Sequence, residues 1–345
     1  MVSTLVLALA AASLNTIGTA ASNACAAPPP PATPPRCQLP LDVKTSSNCM
    51  VDLNGLSIEV VRAGNANAPG PTVFVAPAPW GIGSGYILDG LKPLFDRYNF
   101  VSFVPRGTRP SQQPADPAHS MSTLDMVADV EALRESFGLD SIVLLGHCWS
   151  GTMALLYAEN YPTRVSDLIL LDTCLGDFDA SQLQMDLVGE LEQRDPDFNF
   201  TDAVNMIGTL SDPKSPDYPK DDKGFLEDIK ILTQLYFYDI AGWRKWVPAL
   251  DNGPLPSVFA NTWNSVEDAA SPAPANANLG HVTARTCLIA GVSDIPCPLA
   301  MSQSINKGIA GSTLTAISEA GHLPWVENPE PFYKALDACF SNIHN

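Results

Sequence analysis

The sequence predicts an α/β fold: a mostly parallel sheet with helices on both faces and a helical cap inserted into it. Short β-branched runs alternate with longer amphipathic runs along most of the chain, which is typical of such sheets. The alternation stops between residues 177 and 282, where helical segments follow one another without a convincing strand. Hydrophobic residues make up 46% of the 345 residues, which is enough for a large core.

Seven short runs rich in Val, Ile, Leu and Thr have the composition of buried strands. They span 56–61, 72–75, 100–104, 141–145, 168–171, 286–290 and 313–317. Amphipathic runs between them predict helices over 87–98, 124–137, 151–161, 299–309 and 329–343. We therefore divide the core into a first part at 51–176 and a second at 283–345, with a helical cap at 177–282 that includes helices over 181–194 and 224–239.

The N-terminus predicts secretion. Residues 1–26 begin with an almost wholly apolar run and continue with small residues, and cleavage is expected after Ala20 or Ala26, as in a secretory signal peptide. The apolar run is shorter than the ~20 residues that span a bilayer, so no stable membrane association is expected. The proline-rich segment 27–50 predicts a stiff spacer, and Cys37 and Cys49 within it are the expected disulfide.

Net charge excludes two classes of partner. With 37 acidic and 19 basic residues, the formal net charge is −18. Binding to nucleic acid or to an anionic membrane surface requires clustered Lys and Arg, so neither partner is expected. No paired C-x-x-C or His-rich spacing suggests zinc, and no glycine-rich loop suggests a phosphate-bearing group, so no cofactor is predicted.

A candidate nucleophile follows the strand at 141–145. The chain continues as Gly146-His147-Cys148-Trp149-Ser150-Gly151 and then becomes helical. A strand, a sharp turn flanked by small residues and a helix form the nucleophile elbow, usually G-x-S-x-G, and Cys148 occupies the nucleophile position. In an alternative frame Ser150 is the nucleophile, but the turn then lies two residues inside the predicted helix. Cys148 as an inert buried thiol is the other alternative.

A nucleophilic thiol needs a base, and the base needs a group that orients it. Asp294 lies in the loop after the strand at 286–290, and His322 lies in the loop after the strand at 313–317. Each residue alone has an ordinary structural explanation, as a solvated turn aspartate or a half-buried histidine. Their occurrence at two strand ends, in the order nucleophile, acid, histidine, favours a Cys148-Asp294-His322 triad.

These residues also carry a family resemblance. The segment from Gly146 to Ala158 resembles the elbow and following helix of the proline iminopeptidase branch of the α/β-hydrolases, and the Asp294 and His322 loops resemble that branch's acid and histidine loops. Arg106-Gly107 is similar to its Arg-Gly segment. The resemblance covers residues 55–175 and 283–340. It implies an α/β-hydrolase fold and hydrolysis by a catalytic triad.

The chain departs from that branch at two places. The branch has serine at the position of Cys148, and a His-Gly-Gly-Pro-Gly stretch where this chain has Ala76-Pro77-Ala78-Pro79-Trp80. The resemblance implies that this stretch supplies one N–H of the oxyanion hole and that the residue after the nucleophile, Trp149, supplies the other. Proline has no N–H, so Ala78 is the expected local donor.

The cysteine sets the expected mechanism. A helix N-terminus and a neighbouring imidazolium both favour a thiolate, so we expect a Cys148–His322 ion pair at neutral pH. Attack on a carbonyl then gives a thioester. Water, amines and alcohols all react with a thioester, so both hydrolysis and acyl transfer are open.

The acidic and aromatic residues of the cap are candidates for substrate binding. Residues 177–282 contain 18 acidic and 7 basic residues. The resemblance implies that cap carboxylates bind a substrate amino group, and Glu190, Glu192, Asp195 or Glu227 is positioned in sequence to do so; a solvated acidic surface is the alternative. Aromatic residues such as Trp243 either line an apolar pocket or pack the interior of the cap.

Three functions follow from the sequence. The first is a secreted hydrolase that cleaves a small amide, ester or lactone of a small molecule or short peptide. The second is an acyltransferase or cyclase that passes the acyl group to an amine or alcohol. The third is a non-catalytic binding protein on a hydrolase scaffold, which loss of the oxyanion hole would favour.

Overall fold

The computed structural model describes residues 34–45, 47–176, 178–270, 278–341 and 343. The predicted signal peptide at 1–26 lies outside these residues. In the part of the chain that is described, eight strands form one sheet with the order β1-β2-β4-β3-β5-β6-β7-β8. The strands are β1 Cys49–Leu53, β2 Leu56–Gly64, β3 Thr72–Val75, β4 Asn99–Phe103, β5 Ile142–His147, β6 Val165–Leu171, β7 Arg285–Gly291 and β8 Thr313–Ile317.

The sheet is mostly parallel, as predicted. Strands β3 to β8 pair in parallel, whereas β1 and β2 pair antiparallel with each other and β2 pairs antiparallel with β4. All seven predicted strands are present. The sequence analysis missed β1, which forms a hairpin with β2 through Asn54 and Gly55, both at positive φ. An Asn-Gly pair between two strands is a strong hairpin signal that the prediction did not use.

Helices cover both faces of the sheet. The core helices are α1 Gly85–Leu91, α2 Thr123–Ser136, α3 Trp149–Asn160, α9 Leu299–Gly308, α10 Pro324–Glu327 and α11 Pro329–Ser341. Buried residues of α2, α3 and α9 form a core on one face of the sheet, and those of α1 and α11 form a second core on the other. The two-sided burial accounts for the continuous apolar runs of the parallel strands.

The insertion between β6 and β7 is helical. Its helices are α4 Ser181–Arg194, α5 Thr201–Ser211, α6 Asp222–Leu232, α7 Ile240–Trp246 and α8 Val258–Ala270. Between β6 and β7 the described residues contain no strand. Residues of α4, α5 and α7 share a small core of their own.

Two predicted helices end earlier than expected. Helix α1 stops at Leu91, and Lys92–Leu94 forms a 3-10 turn that contains Pro93, which cannot donate a helical hydrogen bond. Helix α6 stops at Leu232 rather than 239. The carboxylate of Asp239 accepts a hydrogen bond from Gly242 N at 2.8 Å and so begins a new helix, α7.

The described residues contain three disulfides. They join Cys37 to Cys49, Cys174 to Cys297 and Cys287 to Cys339. The first confirms the predicted pair. Cys148 is the free cysteine among the described residues.

None of the helices in the described ranges combines the length and the apolar character that crossing a membrane requires.

Glu159, near the end of α3, is a buried carboxyl group. It is 5% exposed, and its Oε1 has no hydrogen-bond partner among the described residues. Burial raises the pKa of its carboxyl to about 7, although the backbone N–H of Asn278 partly opposes this. A solvated glutamate has a pKa of ~4.3, so folding shifts the proton affinity upward.

This shift predicts a pH-dependent stability. Between about pH 4.5 and pH 7 the folded chain binds more protons at Glu159 than the unfolded chain does. The contribution of Glu159 to the free energy of unfolding therefore falls as the pH rises through that window. We expect Glu159→Gln to unfold with a free energy higher than wild type by on the order of 1 kcal/mol at about pH 8, and equal to it at about pH 4. Urea denaturation at both pH values measures this. Glu190→Gln, at an exposed position of α4, is the matched control, and an identical pH dependence in all three proteins would contradict the prediction.

Candidate active site

The candidate nucleophile lies at the junction of β5 and α3. Cys148 has φ +56° and ψ −128°, a strained conformation for a residue with a Cβ, and such strain concentrates at functional sites. Its N–H donates to Leu171 O at 3.0 Å, and its carbonyl accepts from Gly151 N at 3.1 Å. The thiol is therefore held at the carboxyl edge of the sheet, as the elbow pattern predicts.

Close packing explains the small residues around the turn. A Cβ on Gly146 would lie 2.7 Å from Gly151 Cα and even nearer to the carbonyl oxygen of Ser150. A Cβ on Gly151 would collide with the side chain of Thr173 at the end of β6. The elbow can therefore form only if both positions lack a side chain.

Gly146→Ala should destabilise the fold. Its Cβ collides with backbone atoms of the elbow, which cannot rotate away, so we expect a loss of ~1–3 kcal/mol in the free energy of unfolding. The matched control is Gly189→Ala in α4, where a Cβ meets nothing within 4 Å and the helix gains ~0.5–1 kcal/mol. Thermal denaturation of both variants measures the difference, and equal melting temperatures would contradict the geometry of the turn.

Ser150 does not occupy the tip of the turn. It lies in the first turn of α3 and is fully buried. Its Oγ donates to His147 O at 2.8 Å and accepts from His147 N at 2.9 Å. Both hydrogen bonds hold the elbow together, and the geometry therefore favours the frame with Cys148 over the frame with Ser150.

His322 and Asp294 meet as the sequence predicts. Both are fully buried, and His322 Nδ1 lies 2.9 Å from each carboxylate oxygen of Asp294. A carboxylate can only accept, so Nδ1 carries the proton and donates it. His322 Nε2 is buried and has no hydrogen-bond partner among the described residues. The imidazole is therefore held in the tautomer whose free nitrogen can accept a proton.

The electrostatics differ from the expected ion pair. Burial raises the pKa of the Cys148 thiol, the charge of Asp294 raises it further, and the backbone N–H of Trp149 partly opposes them. Burial lowers the pKa of His322 to about 3. Burial therefore favours a neutral thiol and a neutral imidazole over the expected thiolate–imidazolium pair.

A second buried carboxyl, which the sequence analysis missed, lies beside Asp294. Asp172 directly follows β6, is fully buried and accepts a hydrogen bond from Gly291 N at 2.7 Å. Burial raises the pKa of both carboxyls, and the charge of Asp294 further raises the pKa of Asp172. Two adjacent buried carboxylates cannot both be charged at low cost, so the pair retains a proton. The proton belongs on Asp172, because His322 Nδ1–H already needs Asp294 as an ionised acceptor.

His147 forms a side-chain hydrogen bond to the backbone of His322. His147 Nε2 donates to His322 O at 2.8 Å, and its Nδ1 accepts from Tyr86 Oη at 2.8 Å. Burial and the proximity of His322 lower the pKa of His147, so the ring is neutral. From the cap, Tyr236 O accepts a hydrogen bond from His322 N at 2.6 Å, and the ring centroids of Tyr236 and His322 lie 4.7 Å apart. The elbow and the cap thus fix the histidine loop together.

The oxyanion hole differs from the expectation at Ala78. Its N–H donates to Gly83 O at 3.2 Å, which closes a small antiparallel bridge, so that donor is already used. The assignment of Ala78 as an oxyanion donor is therefore wrong for this structure. Trp149 N–H, at the start of α3, has no backbone acceptor among the described residues and faces the Cys148 thiol. The rings of Trp149 and Trp80 stack with their centroids 5.1 Å apart.

The predicted cap contacts lie elsewhere. Glu190 and Glu192 are exposed on α4, and Glu190 pairs with Arg194 at 3.6 Å. Glu227 is exposed on α6 and pairs with Lys230 at 3.0 Å. These assignments are corrected, because α4 and α6 bury their apolar faces and turn these carboxylates to solvent.

Two further cap residues have structural roles. Asp195 accepts from Ile240 N at 2.9 Å and so fixes the cap's own backbone. Trp243 packs inside the cap, where its Nε1 donates to Lys230 O at 3.1 Å, so its assignment to the substrate site is also corrected. Tyr236 is the cap aromatic that contacts the candidate site, and periodicity could not have singled it out because it lies in a 3-10 turn.

The site also contains the disulfide between Cys174 and Cys297. The sulfurs of Cys148, Cys174 and Cys297 all lie within 4.8 Å of one another. Cys297 N donates to Asp294 Oδ1 at 3.0 Å, and Cys174 follows Asp172 by two residues. Cys174 and Cys297 are joined to each other, so neither has a thiolate to offer a metal ion.

Comparisons with known proteins agree with this architecture. The sequence profile of a family described as "alpha/beta hydrolase fold" matches residues 81–329. A proline iminopeptidase from Xylella fastidiosa is 36% identical over 75 residues, which are 22% of this chain and 24% of that protein. The human (lyso)-N-acylphosphatidylethanolamine lipase is 35% identical over 102 residues, 29% of this chain and 30% of that one. The matched region thus spans less than a third of either relative.

A solved structure extends the agreement to almost the whole fold. An α/β fold family hydrolase from Bacillus anthracis superposes with a TM-score of 0.62 at 18% identity, over 85% of this chain and 99% of that chain. At this identity the likeness concerns the fold alone.

Proposed function

The chain belongs to the α/β-hydrolase fold family, and we propose that it is a hydrolase that cleaves a small amide, ester or lactone through an acyl-enzyme on Cys148. One observation carries the proposal: a thiol at the strained tip of the elbow, together with a buried imidazole whose Nε2 is free and whose Nδ1 is held by Asp294. The similarity to proline iminopeptidase and lipase segments supports acyl chemistry in general.

The neutral resting site suggests how the step proceeds. As the Cys148 sulfur attacks the substrate carbonyl, its proton passes to His322 Nε2, and Asp294 stabilises the imidazolium that forms. His322 then protonates the leaving amine or alkoxide as the tetrahedral adduct collapses to the thioester. Water, deprotonated by the same nitrogen, hydrolyses the thioester and restores the thiol.

The engagement of Ala78 N–H by Gly83 O favours activated substrates. Loss of one oxyanion donor costs ~10²- to 10³-fold in serine enzymes. Trp149 N–H has no backbone acceptor in the part of the chain that the structure describes, whereas Ala78 N–H is engaged by Gly83 O. Esters and lactones, which have better leaving groups than peptides, therefore fit this site better than amides do.

The same observation supports a second candidate, a binding protein on a hydrolase scaffold. A panel of a prolyl p-nitroanilide, a p-nitrophenyl ester and a small lactone, each with wild type and Cys148→Ala, separates the two. Turnover that depends on Cys148 supports the hydrolase. Product partitioning toward an added amine at constant substrate consumption would support acyl transfer. No turnover of any substrate, with saturable binding retained, would support the binding protein.

We further propose that the protein is secreted. The three disulfides fit an oxidising compartment, since structural disulfides rarely persist in the cytosol. Expression of the full chain followed by N-terminal sequencing of protein from the medium tests this. A mature protein that begins after Ala20 or Ala26 is the expected result, and an uncleaved chain retained in the cells would contradict it.

A further inference from the structure

The free thiol of the candidate site touches a disulfide. Cys148 Sγ lies 3.9 Å from Cys297 Sγ, and Cys297 is joined to Cys174. A free thiol and a disulfide in contact are the reactants of thiol–disulfide exchange. We propose that Cys148 exchanges with this disulfide, so that the three cysteines form either an open site or one in which Cys148 is bonded to Cys297 and masked.

The exchange balances without an added oxidant or reductant. The Cys148 thiol loses its proton, and its sulfur forms a bond to Cys297 Sγ while the Cys174–Cys297 bond breaks. The electron pair of the broken bond leaves on Cys174 Sγ, which takes up the proton. One disulfide and one thiol are present before and after the step.

The surroundings provide the groups that the step needs. His322 Nε2 has no hydrogen-bond partner among the described residues and can accept the thiol proton. Cys297 Sγ lies within 4.8 Å of a ring nitrogen of His322 and of a carboxylate oxygen of Asp294. On the product side, Pro296 O lies 3.9 Å from Cys174 Sγ and can accept the hydrogen of the released thiol.

The backbone segments that carry the three cysteines already adjoin. Cys174 N donates to Cys148 O at 3.4 Å, and Cys297 N donates to the side chain of Asp294. The three sulfurs lie within 4.8 Å of one another. Cys148 Sγ therefore lies to the side of the Cys174–Cys297 bond and not on the extension of its axis. Exchange therefore requires that Cys148 Sγ turn into line with the Cys174–Cys297 bond, and the Cys148 side chain is only partly buried.

The consequence is control of the candidate site. In the masked isomer the proposed nucleophile is unavailable, and a reductant that cleaves the Cys148–Cys297 bond restores it. This inference rests on the proposed function only for its effect on activity, because the exchange itself needs only the three sulfurs.

Disulfide mapping tests the proposal in the full chain. Wild-type protein is held at about pH 7, 8 and 9, sampled over time and quenched with acidic N-ethylmaleimide before digestion without reduction. We expect the label to move from Cys148 to Cys174, together with a Cys148–Cys297 crosslinked peptide, at an initial rate that rises up to about tenfold per pH unit as the thiolate fraction rises. Label that stays on Cys148 alone would overturn the proposal.

Two variants calibrate the assay. Cys174→Ser leaves Cys297 as a free thiol, and oxidised glutathione should then yield the reference Cys148–Cys297 peptide. Cys287→Ser is the matched control, because it frees Cys339 in the core on the other face of the sheet, and the label should move from Cys148 to Cys174 at the wild-type rate. Mapping measures linkage rather than turnover, so absence of any acyl-transfer activity would contradict the proposed function and leave the exchange standing.

Discussion

Cys148→Ala should lower kcat/KM by on the order of 10⁴-fold or more on any substrate that the wild type turns over, while the melting temperature changes little. The thiol lies at the tip of the elbow, where the proposed acyl-enzyme forms, and alanine removes only the sulfur of a side chain that is partly buried against the core. Steady-state kinetics and thermal denaturation of the same preparations measure both effects.

Ser150→Ala is the matched control for this prediction. The Ser150 hydroxyl holds the backbone of His147, so its loss should cost ~1 kcal/mol of stability and leave kcat/KM of the folded protein within about tenfold of wild type. The reverse pattern, with Ser150→Ala inactive and Cys148→Ala active, would place the nucleophile in the alternative frame.

Asp294→Asn should also cost on the order of 10⁴-fold in kcat/KM. An asparagine in place of Asp294 can donate to His322 Nδ1, which selects the wrong tautomer, and it removes the charge that stabilises the imidazolium. Kinetics at several pH values measure the loss, and a parallel melting curve excludes unfolding as its cause.

Asp172→Asn is the comparison for Asp294→Asn. If Asp172 is the protonated partner of the pair, asparagine preserves its donor and should keep kcat/KM within about tenfold of wild type. A larger loss at Asp172 than at Asp294 would contradict the assignment and make the residue after β6 the acid that orients His322.

The fold was predictable because most of it is local. Parallel strands buried on both faces give continuous apolar runs, and amphipathic helices between them give the alternation that defines the class. The one strand that was missed, β1, carries Asp52 within a short run and is fixed by its hairpin with β2. The fold class was confirmed, and the seven predicted strands were found in place.

The residues of the candidate site that closely follow a strand were predictable from the sequence. Cys148, Asp294 and His322 follow β5, β7 and β8, and their meeting follows from parallel strands alone. Asp172 follows β6 in the same way, and the same argument would have found it. Whether the Ala78 amide is available as a donor could not be predicted from the sequence. It depends on the turn that brings Gly83 into an antiparallel bridge with Ala78.

The cap could not be assigned from charge. Whether a cap carboxylate faces the sheet depends on which side of its helix is buried, and α4 buries Gln184, Val188 and Leu191. That spacing was present in the sequence and would have placed Glu190 on the solvent side, and Glu192, four residues after Val188, at the edge of the buried face. The Cys174–Cys297 disulfide joins residues 123 positions apart, and no spacing rule predicts such a pair.

Covalent trapping tests the central claim most directly. Wild-type protein is mixed with p-nitrophenyl acetate, quenched in acid within the first turnovers, digested and mapped by mass spectrometry; a second sample is treated with a fluorophosphonate. The account predicts an acetyl group on the peptide that carries Cys148, lost on treatment with hydroxylamine and absent from Cys148→Ala. A fluorophosphonate adduct on Ser150 with Cys148 unmodified in both samples would contradict it.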